Sequence, residues 1–308
     1  MVTSWLLCLG AVALDTVLGE PRRWHPLVGF GALARRVEAL AYGPPELSFA
    51  ARRARGVGAV LALLAPLTVF AGLLERLPYL GVVAALGLLY LALGARSLVE
   101  HAQAVAAALQ VGDLPLARAR VALIVSRDTD DLDEEQISRA TVESVLENGS
   151  DAIFGALCWF VLAGAAGAVV HRLANTLDAL WGYRTPRYQA FGWAAARLDD
   201  GLNWLPARLT ALSYSAVGSH PAAAWRCWQA QGLVWKSPNA GSVMAAGAGA
   251  LGLALGGPAR YHGEWQARPA LGAGLAPRAE DIGRAVALVR RALGLWLAVI
   301  VLGGWLLA

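Results

Sequence analysis

Residues 56–98 read GVGAVLALLAPLTVFAGLLERLPYLGVVAALGLLYLALGARSL. Two apolar stretches, Gly56–Leu74 and Tyr79–Leu98, are separated only by the polar joint at 75–78. Each stretch is 19 or 20 residues long. As a helix rising ~1.5 Å per residue, either one covers the ~30 Å hydrocarbon layer of a membrane. So short a joint predicts a helical hairpin that returns the chain to the side of the membrane from which it came.

The composition of the whole chain also indicates a membrane protein. Of its 308 residues, 57% are hydrophobic and only 16% are charged, whereas about a quarter of the residues of a soluble domain are charged. A net charge of +4 suits a lipid bilayer with anionic headgroups, and we expect no nucleic-acid partner. The isolated Cys8, Cys158 and Cys227 have no metal or disulfide spacing and are expected to be buried free thiols. We therefore predict an all-α, polytopic helical membrane protein.

Other segments extend this prediction toward both ends of the chain. Trp5–Leu18 has no basic leader and is predicted as a retained first helix, with a signal peptide as the weaker alternative. The arginine-rich stretch 35–55 indicates the cytoplasmic side. Glu100–Val125 is amphipathic and is predicted as two helices with a break at 112–115. Val286–Leu307 is the last predicted span.

The chain is predicted to form one integral membrane domain over residues 1–308. Within it we distinguish the N-terminal helices (1–125) and a core motif region (126–217). A Gly/Pro-rich region (218–285) is expected to fold over the site as a lid or wall, and the terminal span (286–308) follows.

The core motif region holds the densest polar residues of the chain. Its acidic run begins at Asp128, and Thr129 or Asp130 is predicted to cap a helix that starts near Leu132. Further along come three arginines and a second group of oxygen ligands. Guanidiniums are the natural partners of phosphate and carboxylate oxygens. The arginines are Arg184, Arg187 and Arg197, and the oxygen ligands are Asp199, Asp200 and Asn203.

Three carboxylates of this region, Glu143, Glu147 and Asp151, follow one another at a spacing of four residues. On a continuous helix they would share one face and repel one another. A divalent cation would offset that repulsion, and hard oxygen ligands suit Mg²⁺ held with nucleotide phosphates. A solvated acidic face is the alternative explanation.

Aromatic and N-terminal residues allow two interpretations each. The aromatic side chains form either an interfacial belt or walls for a large flat ligand; they are Trp181, Tyr183, Tyr188, Phe191, Trp193 and Trp204. Asp15 lies either at a helix end among headgroups or facing a site. His25, in a surface loop expected at 19–29, is either structural or in contact with substrate.

Several long strings carry a family resemblance that covers nearly the whole chain. In the core region these are Arg127-Asp128-Thr129, Leu132-Asp133-Glu134, Glu143-Ser144-Val145, Glu147-Asn148, Ser150-Asp151, Asn175-Thr176-Leu177-Asp178, Gly182-Tyr183, Arg187-Tyr188, Phe191–Asp200, Asn203-Trp204 and Pro206–Ala211. Outer patches that agree include Asp15 with Gly19-Glu20-Pro21 and His25-Pro26, and Ser237–Gly241, Gly256-Gly257-Pro258, Tyr261-His262-Gly263 and Arg268-Pro269. The chain closely resembles the adenosylcobinamide-phosphate synthase family of cobalamin biosynthesis. Gly149 departs from the Thr-like residue expected there.

The resemblance implies an ATP-dependent ligase that forms a C–N bond and uses Mg²⁺. Such an enzyme joins a propionate carboxylate of adenosylcobyric acid to the amine of (R)-1-amino-2-propanol phosphate or of aminopropanol, by way of an acyl phosphate. The product is adenosylcobinamide or its phosphate. The chain contains no GxxxxGK[ST] loop. Phosphate binding is therefore expected from arginines, helix N-termini and loop amides such as those of 237–241.

Expected site residues follow from that reaction. Those expected in catalysis are Glu143, Glu147, Asp199 and His25. Those expected to bind substrate or phosphate are Arg127, Arg184, Arg187, Arg197, Arg208, Asn175, Asn203, Asn239 and Tyr183. Those expected to bind Mg²⁺ are Glu147, Asp151, Asp128, Asp178 and Asp200.

Membrane topology constrains where those residues can lie. If Ile153–Val170 crossed the membrane, motifs 175–203 and 126–151 would face opposite sides, although ATP is cytosolic. We therefore expect Ile153–Val170 or Leu205–Val217 to be re-entrant or buried between helices, which protein cover allows. Both motif blocks are then predicted at the cytoplasmic face of the inner membrane, sharing one pocket.

The expected partners are the corrinoid, the aminopropanol compound and the lipid bilayer. A second copy of the chain or other membrane enzymes of the cobalamin pathway are further candidates. A transporter is the competing class, since broken helices and buried charge also suit one. Transporters, however, place charges in mid-span, whereas here the charges lie between spans. An inactive scaffold would not need the acids and arginines.

Overall fold

The computed structural model of the protein describes residues 4–21, 25–261 and 263–306. Helices dominate it. In chain order they are α1 (Ser4–Leu18), α2 (Pro26–Ala41), α3 (Phe49–Glu75), α4 (Leu80–Ala92), α5 (Ala95–Gln110), α6 (Leu114–Val121), α7 (Glu134–Gly149), a π-helical turn (Ser150–Gly155), α8 (Ala156–Trp181), α9 (Tyr188–Phe191), α10 (Trp193–Val217), α11 (Pro221–Gln231), α12 (Pro238–Leu251) and α13 (Ala279–Leu306).

Two short antiparallel ribbons lie between α12 and α13. In one, β1 (Ala254–Gly256) pairs with β4 (Ala270–Gly272); in the other, β2 (Ala259–Tyr261) pairs with β3 (Glu264–Gln266). The strands of the second ribbon lie between β1 and β4 in the sequence.

Among the residues that the structure describes, four helical segments are long and apolar enough to cross a membrane, namely Phe49–Glu75, Leu80–Gln110, Glu134–Trp181 and Ala279–Leu306. The shorter Ser4–Leu18 is also apolar. The prediction of an all-α, polytopic helical membrane protein is confirmed, as are the helical hairpin after residue 56 and the last span.

Several predicted boundaries needed correction. The stretch Tyr79–Leu98 is interrupted because Leu93 has an extended backbone, which ends α4. The cap of α7 is Asp133 rather than Thr129 or Asp130, since its side chain accepts from the Gln136 amide while the Gln136 side chain accepts from the Asp133 amide. The loop expected at 19–29 ends at His25, which caps α2; Arg22, Arg23 and Trp24 lie outside the described residues.

The chain divides into two compact units, and the first comprises Met1–Gly94, Gly155–Trp204 and Gly303–Ala308. Its core is formed by apolar side chains of α2, α3, α8, α9 and the start of α10. They are Phe30, Ala34, Ala59, Val60, Leu63, Leu64, Leu173, Ala174, Leu177, Trp181, Phe191 and Ala195. The ring centroids of Trp181 and Phe191 lie 5.1 Å apart, nearly edge to face. These two aromatics are core residues and belong neither to a belt nor to a ligand wall.

Within this unit, α8 reverses direction about two turns after its start. Ala163 and Gly164 have non-helical backbone angles, and Gly164 has φ 63° and ψ −152°, which in practice only glycine adopts. A Cβ atom added at Gly155 would collide with the ring of His171, although a straight helix would separate those residues by ~24 Å. The chain that leaves Gly155 therefore returns beside it as a helical hairpin.

The hairpin is fixed at its tip, and its two limbs are largely buried, whereas Val161 and Leu162 beside the tip are exposed. The Glu75 carboxylate at the end of α3 accepts a hydrogen bond of 2.8 Å from the Ala165 amide, which begins the returning limb. The most apolar window of Glu134–Trp181 is 56% buried, whereas those of the three other candidate spans are each 28% buried. Of the two segments expected to be re-entrant or buried between helices, Ile153–Val170 thus contains a chain reversal and is partly buried. That this segment is re-entrant in the membrane stays a prediction.

The second unit comprises Ala95–Phe154 and Leu205–Leu302. At its centre lies α12, in which every residue from Asn239 to Leu251 is buried. This part of the Gly/Pro-rich region is therefore a core helix and not a lid. Gly149 at the end of α7 would place a Cβ atom 2.9 Å from the Tyr214 hydroxyl and 3.2 Å from Val289. The departure from a Thr-like residue at 149 thus has a packing reason.

Candidate functional site

The polar centre of the second unit is Glu143, which is 2% exposed. Its Oε1 accepts from the Gly256 amide at 2.7 Å and from Arg268 Nη2 at 2.9 Å. Its Oε2 accepts from Arg127 Nη2 and, at 2.9 Å, from Arg268 Nη2. One buried carboxylate therefore joins α7, the segment before it and the ribbon that contains β1.

Both guanidiniums of this group are nearly buried, with side chains only 10% (Arg127) and 11% (Arg268) exposed. Burial alone would lower the pKa of Arg268, but the Glu143 carboxylate and the Tyr261 hydroxyl raise it above its usual value. Arg268 also lies over the Trp235 ring, 4.9 Å from its centroid. Glu143 is thus held by protein donors, so a solvated face does not explain it.

A second charged group lies beside the first, around Arg260 of β2. Arg260 Nη1 contacts Asp131 at 2.7 Å, and its Nε lies 3.7 Å from Asp128. The Asp128 carboxylate also accepts from the Gly263 amide at 2.7 Å, and the Asp128 amide donates to the Arg260 carbonyl. The acidic run before α7 is therefore tied to the β2–β3 ribbon. A cavity of about 370 Å³ lies between them.

The other acids predicted on α7 lie at its C-terminal end. Glu147 is partly buried in the last turn, and Asp151 lies in the π-helical turn. π-Helical turns inside helices are frequent at functional sites. The turn shifts Asp151 from the regular spacing of four residues. In the described part of the chain no group of three or more His, Cys, Asp or Glu side chains could hold a metal ion.

Two predicted substrate residues of the second unit contact each other. Arg208 of α10 donates from Nη1 to Oδ1 of the buried Asn239. Burial lowers the pKa of Arg208. Asn239 lies in the first turn of α12, where Ser237 is the N-cap and accepts from the Ala240 amide. The loop amides expected at 237–241 are therefore a helix N-terminus beside a guanidinium.

The polar centre of the first unit is a chain of side chains that begins at Asp199. Asp199 Oδ1 accepts from Nδ2 of Asn175 at 3.3 Å and from Nδ2 of Asn203 at 3.0 Å. Asn203 Oδ1 lies 2.8 Å from Nε2 of His171, which is fully buried. The Asn203 side-chain nitrogen donates its hydrogen bond to Asp199, so the Asn203 oxygen that faces His171 must be an acceptor. His171 therefore carries its proton on Nε2.

The ionisation of Asp199 is strongly perturbed. Burial first, and then the neighbouring Asp178 carboxylate, raise its pKa to about 7, while the hydrogen bonds from Asn175 and Asn203 oppose that rise. Asp200 adds to it. A carboxyl group with a pKa near neutrality can take up and release a proton near pH 7.

Arg187, predicted to bind phosphate, contacts an acid of α2. Its Nε and Nη2 donate to Oε1 of Glu38 at 2.9 and 2.7 Å. Oε2 of Glu38 accepts from Trp181 Nε1 at 3.2 Å and lies 3.4 Å from the Tyr188 hydroxyl. The guanidinium also lies 4.6 Å from the centroid of the Tyr42 ring. Arg187 therefore fastens the segment around α9 to α2.

The remaining predicted residues of the first unit lie nearer its surface. Arg184 and Tyr183 are exposed in the loop after α8, and Arg197 is exposed on α10 with its Nη1 3.9 Å from Asp200. His25 caps α2, because its Nδ1 accepts from the Leu27 amide at 3.2 Å. Burial lowers the pKa of His25. These positions leave the guanidiniums accessible to an anionic ligand.

The two units thus divide the predicted site residues between them. The first holds His25, Asn175, Asp178, Tyr183, Arg184, Arg187, Arg197, Asp199, Asp200 and Asn203; the second holds Arg127, Asp128, Glu143, Glu147, Asp151, Arg208 and Asn239. The assignment of all of them to one pocket, and the role of each, stay predictions.

Three residues of these polar centres were missed as site residues. Glu38 lies in an arginine-rich stretch that was assigned to the surface, and His171 follows an apolar run that resembles a plain span. Arg268 was noted only as part of a family string. The available signal was an ionisable side chain within or beside an apolar helix, which usually has a specific partner.

The fold and the two polar centres define a multi-pass helical membrane protein. A buried carboxylate is held by guanidiniums in one unit, and a partly buried carboxylate is held by side-chain amides in the other. The chain belongs to the CobD/Cbib protein family, whose profile matches residues 8–289. The resemblance noted in the motif strings is thereby confirmed.

Relatives in this family cover most of the chain. The cobalamin biosynthesis protein CobD of Chromobacterium violaceum is 61% identical over 290 residues, 94% of this chain and 93% of that protein. The protein of the same name in Stutzerimonas stutzeri is 57% identical over 307 residues, 100% of each chain. That of Mycobacterium tuberculosis is 41% identical over 283 residues, 90% of this chain and 88% of that protein. No solved structure gives a significant match. The chain therefore has a role in cobalamin biosynthesis.

Proposed function

We propose that this protein is an ATP-dependent ligase that forms the amide between adenosylcobyric acid and (R)-1-amino-2-propanol phosphate, or aminopropanol. The product is adenosylcobinamide phosphate, or adenosylcobinamide. The propionate carboxylate first attacks the γ-phosphorus of ATP, which releases ADP and gives an acyl phosphate. The amine then attacks the acyl carbon, phosphate leaves, and the nitrogen loses a proton.

The observation that carries this proposal is Asp199. The amine arrives as an ammonium and must lose a proton before it can attack, so the reaction needs an acceptor that is partly ionised at neutral pH. Asp199 has a pKa of about 7 and is oriented by the Asn175 and Asn203 amides. His171 holds Asn203 in turn. In this proposal Asp199 takes the proton, and the other three are positioning residues.

The charge that develops on the transferred phosphoryl group needs cationic partners. Arg184 and Arg197 are exposed on the same unit as Asp199 and supply guanidiniums for it. A Mg²⁺ ion bound to ATP keeps several waters and needs only one or two protein carboxylates. Glu147 and Asp151, at the junction of α7 and the π-helical turn, are the proposed pair. When bound, the ion would neutralise phosphate charge.

We place the reaction at the cytoplasmic face of the inner membrane. The hairpin at Gly164 supports this placement, because the chain that leaves Gly155 returns at His171 and brings residues 175–203 back toward its origin. The arginine-rich 35–55 stretch supports this orientation.

The test is a coupling assay with purified protein in detergent, with ATP, Mg²⁺, adenosylcobyric acid and either amine. Wild-type protein should release one ADP for each amide formed. Asp199→Asn should lower kcat by at least about 100-fold, the lower range for a general base, without loss of folding. Glu46→Gln, an exposed acid of the same unit, is the matched control and should retain activity. Product formation without ADP, or full activity of Asp199→Asn, would refute the proposal.

A further inference from the structure

The cavity of the second unit, between the segment before α7 and the β2–β3 ribbon, has an uneven distribution of charge. Its lining includes Arg127, Asp130, Asp131, Arg139 and Arg260. Arg139 is paired with Glu135 one turn away and adds little net charge. The other charges separate into an inner wall and an outer rim.

The inner wall is positive. Arg127 lines it and is 10% exposed, and behind it Glu143 is shared with Arg268. Two guanidiniums meet one carboxylate, so one unit of positive charge is left over. Because these groups are largely out of water, that charge is weakly screened.

The outer rim is negative. Asp128, Asp130 and Asp131 line it together with one guanidinium, that of Arg260, which pairs with Asp128 and Asp131. Asp131 is 78% exposed, whereas Asp128 is 33% exposed and is held by the Gly263 amide. Among the described residues Asp130 has no hydrogen-bond or ion-pair partner. The rim therefore has two unbalanced negative charges and one carboxylate available to a ligand.

A cavity of about 370 Å³ is at the small end of ligand pockets, which span roughly 300–1,000 Å³. A corrinoid is too large for it. An anion alone would be repelled by the rim, and a cation alone by the inner wall. A small molecule with a phosphate at one end and an ammonium at the other satisfies both.

We infer that this cavity binds the phosphorylated amine, with its phosphate toward Arg127 and its ammonium toward Asp130. This inference rests on the proposed function for the identity of the ligand, but the binding needs neither ATP nor corrinoid. Asp130 acts here as a specificity residue that recognises the ammonium when the amine binds; it does not take the proton, a role that the proposed function assigns to Asp199.

The experiment is isothermal titration calorimetry on the full-length protein in detergent, without nucleotide or corrinoid. The probes are 1-amino-2-propanol phosphate, isopropyl phosphate, which lacks the amine, and 1-amino-2-propanol, which lacks the phosphate. Wild-type protein should bind the first more tightly than either of the others. Asp130→Asn should weaken binding of the first roughly fivefold, the effect of one partly screened ion pair. Its affinity for isopropyl phosphate should be unchanged or higher.

Glu134→Gln is the matched control, since Glu134 is an exposed acid in the same stretch and does not line the cavity. It should bind all three probes as the wild type does. The inference is overturned if wild-type protein does not prefer the zwitterion, or if Asp130→Asn changes the affinities for the zwitterion and isopropyl phosphate equally. If the pattern holds but no amide forms in the coupling assay, the proposed function fails while the zwitterion site stands.

Discussion

Glu143 and Asp199 are both carboxylates from motif strings of the same family, yet their surroundings are opposite. Glu143 lies between two guanidiniums and also accepts a hydrogen bond from a backbone amide. Asp199 lies near the Asp178 carboxylate and is held by two neutral side-chain amides. The first surrounding supplies two positive charges and a backbone donor, whereas the second disfavours the charged form of Asp199. The same residue type is therefore suited to fixing structure in one unit and to exchanging a proton in the other.

The largest expected loss of stability follows from substitution of Glu143. Glu143→Ala leaves Arg127 and Arg268 buried without their counter-charge, and we expect a loss of about 3–5 kcal/mol in the free energy of unfolding. Denaturant unfolding in detergent measures it. Glu135→Ala, which breaks the partly exposed pair with Arg139, should cost at most about 1 kcal/mol. Equal losses for the two variants would show that Glu143 is not a structural centre.

The next largest loss of stability is expected from a substitution in the hairpin of α8, whose returning limb includes Asn175. Gly164→Ala forces a side chain into a backbone conformation that only glycine adopts and against the Glu75 carboxylate. We expect about 1–3 kcal/mol of destabilisation and a lower coupling rate. Gly58→Ala, at a helical position with open space around it, serves as the control and should be neutral or slightly stabilising. A stable and fully active Gly164→Ala protein would contradict a glycine-dependent reversal.

The pH dependence of stability tests the Asp199 side directly. Because its pKa is raised to about 7 in the folded protein, the folded state binds more protons than the unfolded state above pH ~4. Stability should therefore fall as pH rises toward 7, by roughly 1–2 kcal/mol after allowance for solvent screening. Asp199→Asn should remove this part of the slope between pH 5 and 8. An identical slope in both proteins would mean that Asp199 titrates normally.

The smallest expected effect is at Arg187. Lysine keeps the charge but replaces the two donors to Glu38 Oε1 by a single ammonium. Since the Arg187 side chain is 54% exposed, Arg187→Lys should cost roughly 0.5–1 kcal/mol. Arg184→Lys, at an exposed position of the same loop, should cost nothing measurable. If Arg187→Lys lost much of the coupling activity while its stability fell only by this small amount, the predicted phosphate contact would be favoured.

The sequence predicted features that depend on local patterns. The apolar stretches around the 75–78 joint have helical length and a turn between them, so their pairing follows from periodicity alone. The acids beside Leu132 indicated a helix start, although only the structure identified Asp133 as the cap, because capping depends on which side chain reaches back.

Features that depend on distant partners could not be predicted in this way. Glu38 acquires its role from Trp181 and Arg187, about 150 residues later in the chain. Likewise, Gly164 resembles any helix-packing glycine until its backbone angles are known. The topology argument narrowed the reversal to two segments, but no local pattern chose between them.

The contact between Glu75 and Ala165 has a consequence for biosynthesis. Its two partners are 90 residues apart in the sequence, so the ribosome must add all of that chain after α3 before the contact can form. Until then the Glu75 carboxylate, at the end of an inserted helix, lacks its hydrogen bond from Ala165. We expect the returning limb to enter the bilayer late, after its docking point is already in place, and ribosome-bound truncations ending before residue 164 should lack the protease resistance of longer ones.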